Sequence, residues 1–249
     1  MVDETADWIV VDKPAPLAVH PANGKDEPTL LGGLSALLGY ELANGARLSI
    51  LTRLDRETSG LVLVAKHRAA AAHFSRQLAA RTVEKEYLAV VRGVPGWDRT
   101  RVEAPILRAG EVGESPIWLR QRVHPGGRPC ATDFVVERRF THALGGFARV
   151  RCLPESGRMH QIRVHLEHLG HPLVGDKIYG SDGRAYLEQF AGRLSDESVA
   201  ALILPRHALH ASRLAAEWEG ERIEWRSGLP GDLARFVGEA ELDRGHGHA

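Results

Sequence analysis

Apolar and polar positions recur along this chain with two different periods, which predict strands and helices. Short apolar runs bounded by glycine, proline or charged residues are typical of strands, and apolar residues three or four positions apart are typical of helices. The predicted strands cover residues 7–12, 48–51, 61–65, 83–91, 132–140, 147–153, 207–215 and 223–225. The predicted helices cover residues 30–38, 69–80, 157–169 and 186–194. Since these elements are interspersed without a regular βαβ period, we predict an α+β fold with a mixed, largely antiparallel sheet flanked by helices and loops.

The size and composition of the chain are those of an ordinary globular protein. It has 249 residues, of which 43% are hydrophobic and 26% are charged. No repeat or low-complexity linker divides it, so we predict a single domain over residues 1–249, with a disordered polar tail at about 240–249. No apolar run reaches the roughly 20 residues that span a bilayer, and the first residues are acidic where a signal peptide is basic. We therefore expect a cytoplasmic protein without membrane association.

The charge of the chain is balanced overall but unevenly distributed. A formal net charge of +0 argues against a protein that coats nucleic acid through bulk electrostatics. Residues 217–243, however, carry eight acidic side chains against three arginines. The rest of the chain is correspondingly basic, which leaves room for a local basic cleft.

The segment 53–60 places one carboxylate, Asp55, between Arg53 and Arg56 and follows it with small residues and the apolar run 61–64. This pattern predicts a loop between two strands that presents a single aspartate. We expect the flanking arginines to favour the ionised carboxylate and to offer planar cations to a phosphate or a displaced base. The loop then suits nucleophilic chemistry on a nucleic acid. A solvated ion-pair cluster at a strand end is the alternative interpretation.

The predicted helix 157–169 offers a partner for Asp55. Its apolar stripe, which we expect to be buried, consists of Met159, Ile162, Leu166 and Leu169. At about 100° per residue, a neighbouring face carries His160, Arg163 and Glu167, which could line a site at the edge of the stripe. Arg163 is therefore a candidate counter-ion for a catalytic carboxylate.

Four histidines within one short segment raise the question of a metal site; they are His160, His165, His168 and His171. On a helix, His165 and His168 lie about 60° apart while His160 points away from both. The pattern His-Glu-x-x-His is also absent. We therefore predict no metal site.

Five segments in chain order resemble the RluA-type family of RNA pseudouridine synthases. They are residues 12–21, with Asp-Lys-Pro and Val-His-Pro; 53–61, Arg-Leu-Asp-Arg-Glu-Thr-Ser-Gly-Leu; 85–93, around Tyr87; 157–180, with Gly-Arg-Met-His-Gln-Ile-Arg-Val-His; and 209–211, Leu-His-Ala. One such match would be weak, but five in order are highly specific. Two positions depart from the family pattern. Thr52 stands where histidine is usual, and because it lies beside the predicted loop it could alter the grip on RNA. Met159 stands where threonine is usual. Because the chain starts almost at the first matching strand, we expect a pseudouridine synthase catalytic domain without the small N-terminal S4 module of some relatives.

The resemblance implies that the protein isomerises a uridine to pseudouridine in structured RNA, with the base flipped out and no cofactor. Asp55 would be the essential catalytic residue, either attacking the nucleoside covalently or assisting formation of a glycal. Arg53 would fill the gap or hold the flipped nucleotide, and Tyr87 would stack on the uracil and help remove the C5 proton. Arg163 would pair with Asp55, and Ile162 would pack against the base.

Two other functions stay open at this point. One is a catalytically silent RNA-binding protein of the same fold, against which the intact set of site residues argues. The other is a carboxylate-dependent nucleoside hydrolase or glycosidase, which needs a second carboxyl group that the sequence does not identify. For the synthase, we expect ribosomal or transfer RNA as the partner and no obligate protein partner.

Overall fold

The structure is a computed structural model that describes residues 1–21 and 27–238. The predicted tail at 240–249 lies outside the described residues. Twelve strands are found in the described part: β1 Asp3–Glu4, β2 Trp8–Lys13, β3 Ser49–Ile50, β4 Ser59–Ala65, β5 Glu84–Arg92, β6 Arg99–Glu103, β7 Ile106–Arg108, β8 Gln121–Val123, β9 Ala131–His142, β10 Gly145–Pro154, β11 Leu209–Trp218 and β12 Glu221–Arg226.

Ten of these strands form one sheet in the described chain, with the order β1-β2-β4-β11-β5-β10-β9-β6. In addition, β3 pairs with β4 and β12 pairs with β11, while β7 and β8 form a separate ribbon. Strands β4 and β11 run parallel, and the other named pairs are antiparallel. The predicted α+β class and the mixed, largely antiparallel sheet are thus confirmed.

The helices are α1 Leu30–Leu37, α2 Gly39–Ala43, α3 Arg68–Ala80, α4 Gln161–His168, α5 Arg184–Phe190, α6 Asp196–Leu202 and α7 Gly231–Val237. They cover both faces of the sheet because side chains alternate along each strand. In β4, Leu61 and Leu63 pack with Phe74 of α3, whereas Val62 and Val64 pack with α1. In the same way, Val91 of β5 packs with α4 while Val90 packs with α7. None of the described helices is long and apolar enough to cross a membrane.

The helix predicted over 157–169 is wrong in its first turn. It begins at Gln161, because His160 adopts the left-handed conformation with φ 56° and interrupts the helical path. Met159 therefore falls outside the helix and is 50% exposed, so its predicted place on the buried stripe is wrong. Ile162 and Leu166 are buried as predicted. Helices α2, α6 and α7 were not predicted.

Candidate active site

Asp55 lies in the loop between β3 and β4, at the point where β4 runs parallel to β11. Leu54 anchors the loop by packing with Val62 and Val64 of β4. The loop turns into β4 through Gly60, whose φ is +112° and whose missing Cβ would lie 2.3 Å from the carbonyl oxygen of Ala211. Only glycine allows this approach, because an added methyl group would overlap the neighbouring strand. The small residues after Asp55 thus bring its loop against the centre of the sheet.

Arg163 of α4 joins Asp55 to a second carboxylate. Its Nη1 donates to Asp55 Oδ2 at 2.9 Å, while its Nε and Nη2 donate to Asp176 at 2.7 and 2.8 Å. The side chain of Arg163 is 5% exposed and that of Asp176 is fully buried. Asp176 also accepts hydrogen bonds from the backbone N–H groups of Ile178 and Tyr179. A two-pronged ion pair of this kind fixes the plane of the guanidinium group and hence the position of Asp55.

The surroundings of Asp55 keep it ionised. Burial alone raises the pKa of this carboxyl, but the positive charges of His160, Arg163 and His207 and the hydrogen bond from Arg163 lower the pKa from 3.8 to about 2. Burial also lowers the pKa of His160 to about 4, so at neutral pH the permanent charge of Arg163 is the dominant stabilising partner. The main causes of the lowered pKa of Asp55 are therefore these residues, and not the flanking Arg53 and Arg56 that the sequence suggested. Arg56 pairs instead with Glu27 at 2.7 Å.

His160 approaches Asp55 from the strained position before α4. Its Nε2 lies 3.8 Å from Asp55 Oδ2, and its Nδ1 lies 2.8 Å from the hydroxyl of Tyr179. Since that hydroxyl accepts the N–H of Gln121 at 3.0 Å, its own proton is available to Nδ1. When Tyr179 donates to Nδ1, the neutral imidazole carries its hydrogen on Nε2, facing the carboxylate. Backbone strain of this sort is retained where it positions a functional side chain.

The exposed part of Asp55 opens into a pocket of about 460 Å³, including the space open to solvent. The predicted residues Arg53, Tyr87, Ile162 and Arg163 all contribute to its lining. Arg53 is exposed at this pocket, Tyr87 of β5 is partly buried and Ile162 is 6% exposed. Burial and the nearby Asp55 charge raise the pKa of Tyr87, so its hydroxyl stays protonated at neutral pH.

Glu167, the third member of the predicted polar helix face, turns away from this site. Its carboxylate accepts from Arg120 at 3.4 Å and from the N–H of Gly180 at 3.3 Å. Glu167 is also not part of the pocket lining. The helical geometry that placed Arg163 correctly therefore did not extend to this residue.

A second set of side chains holds the Asp55 loop from behind and was not predicted from the sequence. Thr58 bonds to Nε2 of His207 at 2.7 Å, and Glu57 pairs with Lys177 at 2.5 Å. Arg206 donates to the backbone carbonyl of Glu57 at 3.3 Å. Glu57 and Thr58 belong to the recognised loop motif, but its hydrophobic pattern gives no signal for partners some 120 to 150 residues away.

Thr52 has a structural role. Its side chain is 7% exposed and its Oγ1 accepts the N–H of Leu63 at 2.9 Å. Thr52 thereby joins the loop to β4. Whether this departure from the family pattern changes the grip on RNA stays a prediction.

Asp55 is the one carboxylate in the pocket lining among the described residues. The nearest alternative, Asp176, is fully buried behind Arg163, and Glu57 is held by Lys177. A retaining or inverting hydrolase needs two accessible carboxyl groups at the scissile bond, so this geometry disfavours the hydrolase. The described chain also holds no group of three or more histidine, cysteine, aspartate or glutamate side chains placed to bind a metal ion.

Comparison with known proteins identifies the family of this chain. The family model for RNA pseudouridylate synthase matches residues 7–168. The chain belongs to this family. It is 40% identical over 236 residues to ribosomal large subunit pseudouridine synthase D of Nitrosomonas europaea. The aligned region covers 92% of this chain and 61% of that protein. It is 37% identical over 250 residues to the protein of the same name from Yersinia pestis. That alignment covers 98% of this chain and 71% of the Yersinia protein.

The fold of the family is found in a solved structure as well. Human RNA pseudouridylate synthase domain containing 1 superposes with a TM-score of 0.67 at 28% identity, covering 91% of this chain and 82% of that one. These comparisons confirm the family that the five motifs predicted. They also confirm the predicted activity class, an RNA pseudouridine synthase. The chain spans 61 to 71% of the length of the two bacterial synthases.

Proposed function

We propose that this pseudouridine synthase isomerises a uridine of large-subunit ribosomal RNA, with Asp55 as the reacting carboxylate. The observation that carries the proposal is the pairing of Asp55 with Arg163 at 2.9 Å in an open pocket. Asp55 keeps 31% of its side chain exposed while its pKa is lowered to about 2. A group that is both accessible and fully ionised at neutral pH can react with a nucleoside.

The reaction breaks the bond between C1′ and N1 of uridine and forms one between C1′ and C5. N1 gains a proton and C5 loses one, so the reaction needs no net redox change and no water. Attack of Asp55 on the sugar and proton abstraction leading to a glycal both begin from the ionised carboxylate. The structure of the site supports this shared first requirement through Arg163.

We assign the remaining pocket residues by their position. Tyr87 and Ile162 offer apolar surface for the uracil ring, and the raised pKa of Tyr87 limits its contribution to packing and hydrogen bonding. Arg53, which lines the pocket and is exposed, would fill the space that a flipped base leaves in its stem or hold the flipped nucleotide. Flipping costs a few kcal/mol, which such contacts offset.

The names of the bacterial relatives support ribosomal over transfer RNA as the substrate. We further propose that residues 1–249 act as one catalytic domain in the cytoplasm, without an obligate protein partner.

Carbodiimide mapping of pseudouridine tests the proposal. The purified chain is incubated with a large-subunit ribosomal RNA transcript and, separately, with unmodified transfer RNA. We expect one or a few new pseudouridines in the ribosomal transcript and none in the transfer RNA. Modification of transfer RNA alone would overturn the proposal that ribosomal RNA is the substrate. RNA binding without any modification would favour the catalytically silent protein.

A further inference from the structure

Trp118 lies between β7 and β8, and its side chain is 74% exposed. The other four tryptophans of the chain are buried or partly buried. The guanidinium carbon of Arg108 lies 3.6 Å from the centre of the Trp118 ring, so a planar cation covers one face of the indole. At this degree of exposure the other face is open to solvent.

The orientation of Trp118 is set by its neighbour. Ile117 is 1% exposed and packs with Val164 of α4, Ile178 and Tyr179. The chain therefore buries Ile117 and points the adjacent indole outward. The indole is held by an anchor in the core, on the same helix that carries Arg163.

A short chain segment connects Trp118 to residues beside the catalytic pocket. Gln121 follows Trp118 by three residues, so at most about 11 Å of chain separates their Cα atoms. The N–H of Gln121 donates to the Tyr179 hydroxyl, which in turn bonds to His160 beside Asp55. Gln121 also contacts Met159 through its side-chain amide. Trp118 does not line the pocket itself, but this short segment and two hydrogen bonds connect it to His160 in the pocket lining.

The charge around Trp118 suits a polyanion. Residues 105–128 contain four arginines and two glutamates, with no lysine or aspartate, so their net charge is positive even though Arg108 pairs with Glu111 at 3.7 Å and Arg120 pairs with Glu167 at 3.4 Å. The arginines are Arg108, Arg120, Arg122 and Arg128. Guanidinium groups bind phosphates and stack on rings, whereas an apolar protein partner would not require this excess of positive charge.

We propose that Trp118 and Arg108 form a stacking platform for an unpaired nucleotide of the RNA substrate, at a fixed distance from the Asp55 pocket. This inference rests on the RNA substrate proposed above. Every base has a π-face that can lie on the open side of the indole, and the cation on the far side strengthens the stack. The contact forms when RNA binds and persists through the reaction, so it contributes to affinity rather than to the chemical step.

Kinetics of matched variants test the platform. Trp118→Ala should raise KM for the mapped ribosomal transcript about tenfold and leave the single-turnover rate at saturating RNA within about twofold of wild type. Trp118→Phe keeps a flat ring and should stay within about threefold of the wild-type KM. The control is Tyr40→Ala, which removes an aromatic side chain that is 82% exposed on α2 and should change neither constant. An unchanged KM in Trp118→Ala, or an equal rise in Tyr40→Ala, would overturn the platform.

Fluorescence separates this inference from the proposed reaction. Stacking should quench the emission of Trp118 when the transcript is added to an Asp55→Asn protein, which needs no turnover. The same addition to Asp55→Asn with Trp118→Phe should give little quenching while a filter assay still detects bound RNA. If RNA quenches Trp118 in the wild-type protein but that protein forms no pseudouridine, the platform would be supported and the proposed reaction contradicted. Equal quenching with and without Trp118, or dimerisation of the chain through this patch, would contradict the platform itself.

Discussion

Asp176 holds Arg163 from behind, accepting two hydrogen bonds at 2.7 and 2.8 Å, while the free end of the same guanidinium reaches Asp55. The cation thus serves two carboxylates, one fully buried and one at the pocket. Burying an arginine is tolerable here because both of its charged edges are satisfied. The arrangement converts a structural ion pair into a fixed support for the reacting group.

The Asp176 support can be tested by Asp176→Asn. The amide keeps the shape but loses the charge that compensates Arg163, and we expect the free energy of unfolding to fall by about 3 kcal/mol. The rate of pseudouridine formation should fall at least about tenfold, because Arg163 is no longer fixed. Urea denaturation and single-turnover assays measure the two effects. Asp133→Asn is the control, since it breaks a surface pair with Arg101 at 2.8 Å and should cost less than about 1 kcal/mol. Equal losses in the two variants would contradict the assignment.

Arg163 sets the pH range in which Asp55 can react. In the wild type the pKa of Asp55 is lowered to about 2, so its protonation should not limit the rate between pH 5 and 8. In Arg163→Gln, burial is no longer offset and the pKa should rise above the ordinary 3.8. The rate should drop at least about 100-fold. As the pH is lowered, the rate should also begin to fall at a higher pH than in the wild type (an acid limb of the pH profile). Arg53→Gln should weaken RNA binding without this limb. An acid limb at the same pH in wild type and Arg163→Gln would show that Arg163 does not control Asp55.

His160 makes the stability of the protein depend on pH. Its pKa is about 4 when folded and 6.5 as a free side chain, so the unfolded chain takes up the proton first as the pH falls. Stability from this group is therefore complete above about pH 6.5 and declines towards pH 4. When the pH is lowered from 7 to 5, we expect the free energy of unfolding of His160→Gln to fall by about 2 kcal/mol less than that of the wild type. Urea titrations at both pH values measure the difference, and His20→Gln, an exposed control, should match the wild type. A His160→Gln curve parallel to the wild type would refute this contribution.

Gly60 should be intolerant of any side chain. In Gly60→Ala the new Cβ lies 2.3 Å from the Ala211 carbonyl oxygen, at a backbone φ of +112° that L-residues rarely adopt. We expect a loss of at least about 3 kcal/mol or failure to fold, seen in thermal denaturation. Gly33→Ala is the matched control: it lies in α1 with nothing within 4 Å and should stabilise by about 0.5–1 kcal/mol. A stable, active Gly60→Ala protein would mean that β4 and β11 are not packed as described.

The sequence revealed those parts of the site that depend on local spacing. The loop around Asp55 could be predicted from its position between two apolar runs, and Arg163 from its place on a helix with a buried stripe. The support from Asp176 could not, because a turn brings it back against α4 and no periodicity records that contact. The left-handed turn at His160 was equally hidden, since histidine carries no strong signal for positive φ, and it moved Met159 from the predicted core to the surface. The short helices α6 and α7 lack the length that makes a helical period visible.

The central claim is that the Asp55 carboxylate carries the reaction, and Asp55→Asn tests it most directly. The amide retains the size of the side chain and an oxygen for Arg163, so the variant should fold and bind the ribosomal transcript. In single-turnover reactions with saturating RNA, we predict pseudouridine formation below about a thousandth of the wild-type rate. A folded Asp55→Asn protein that modifies the same uridine at close to the wild-type rate would contradict the account.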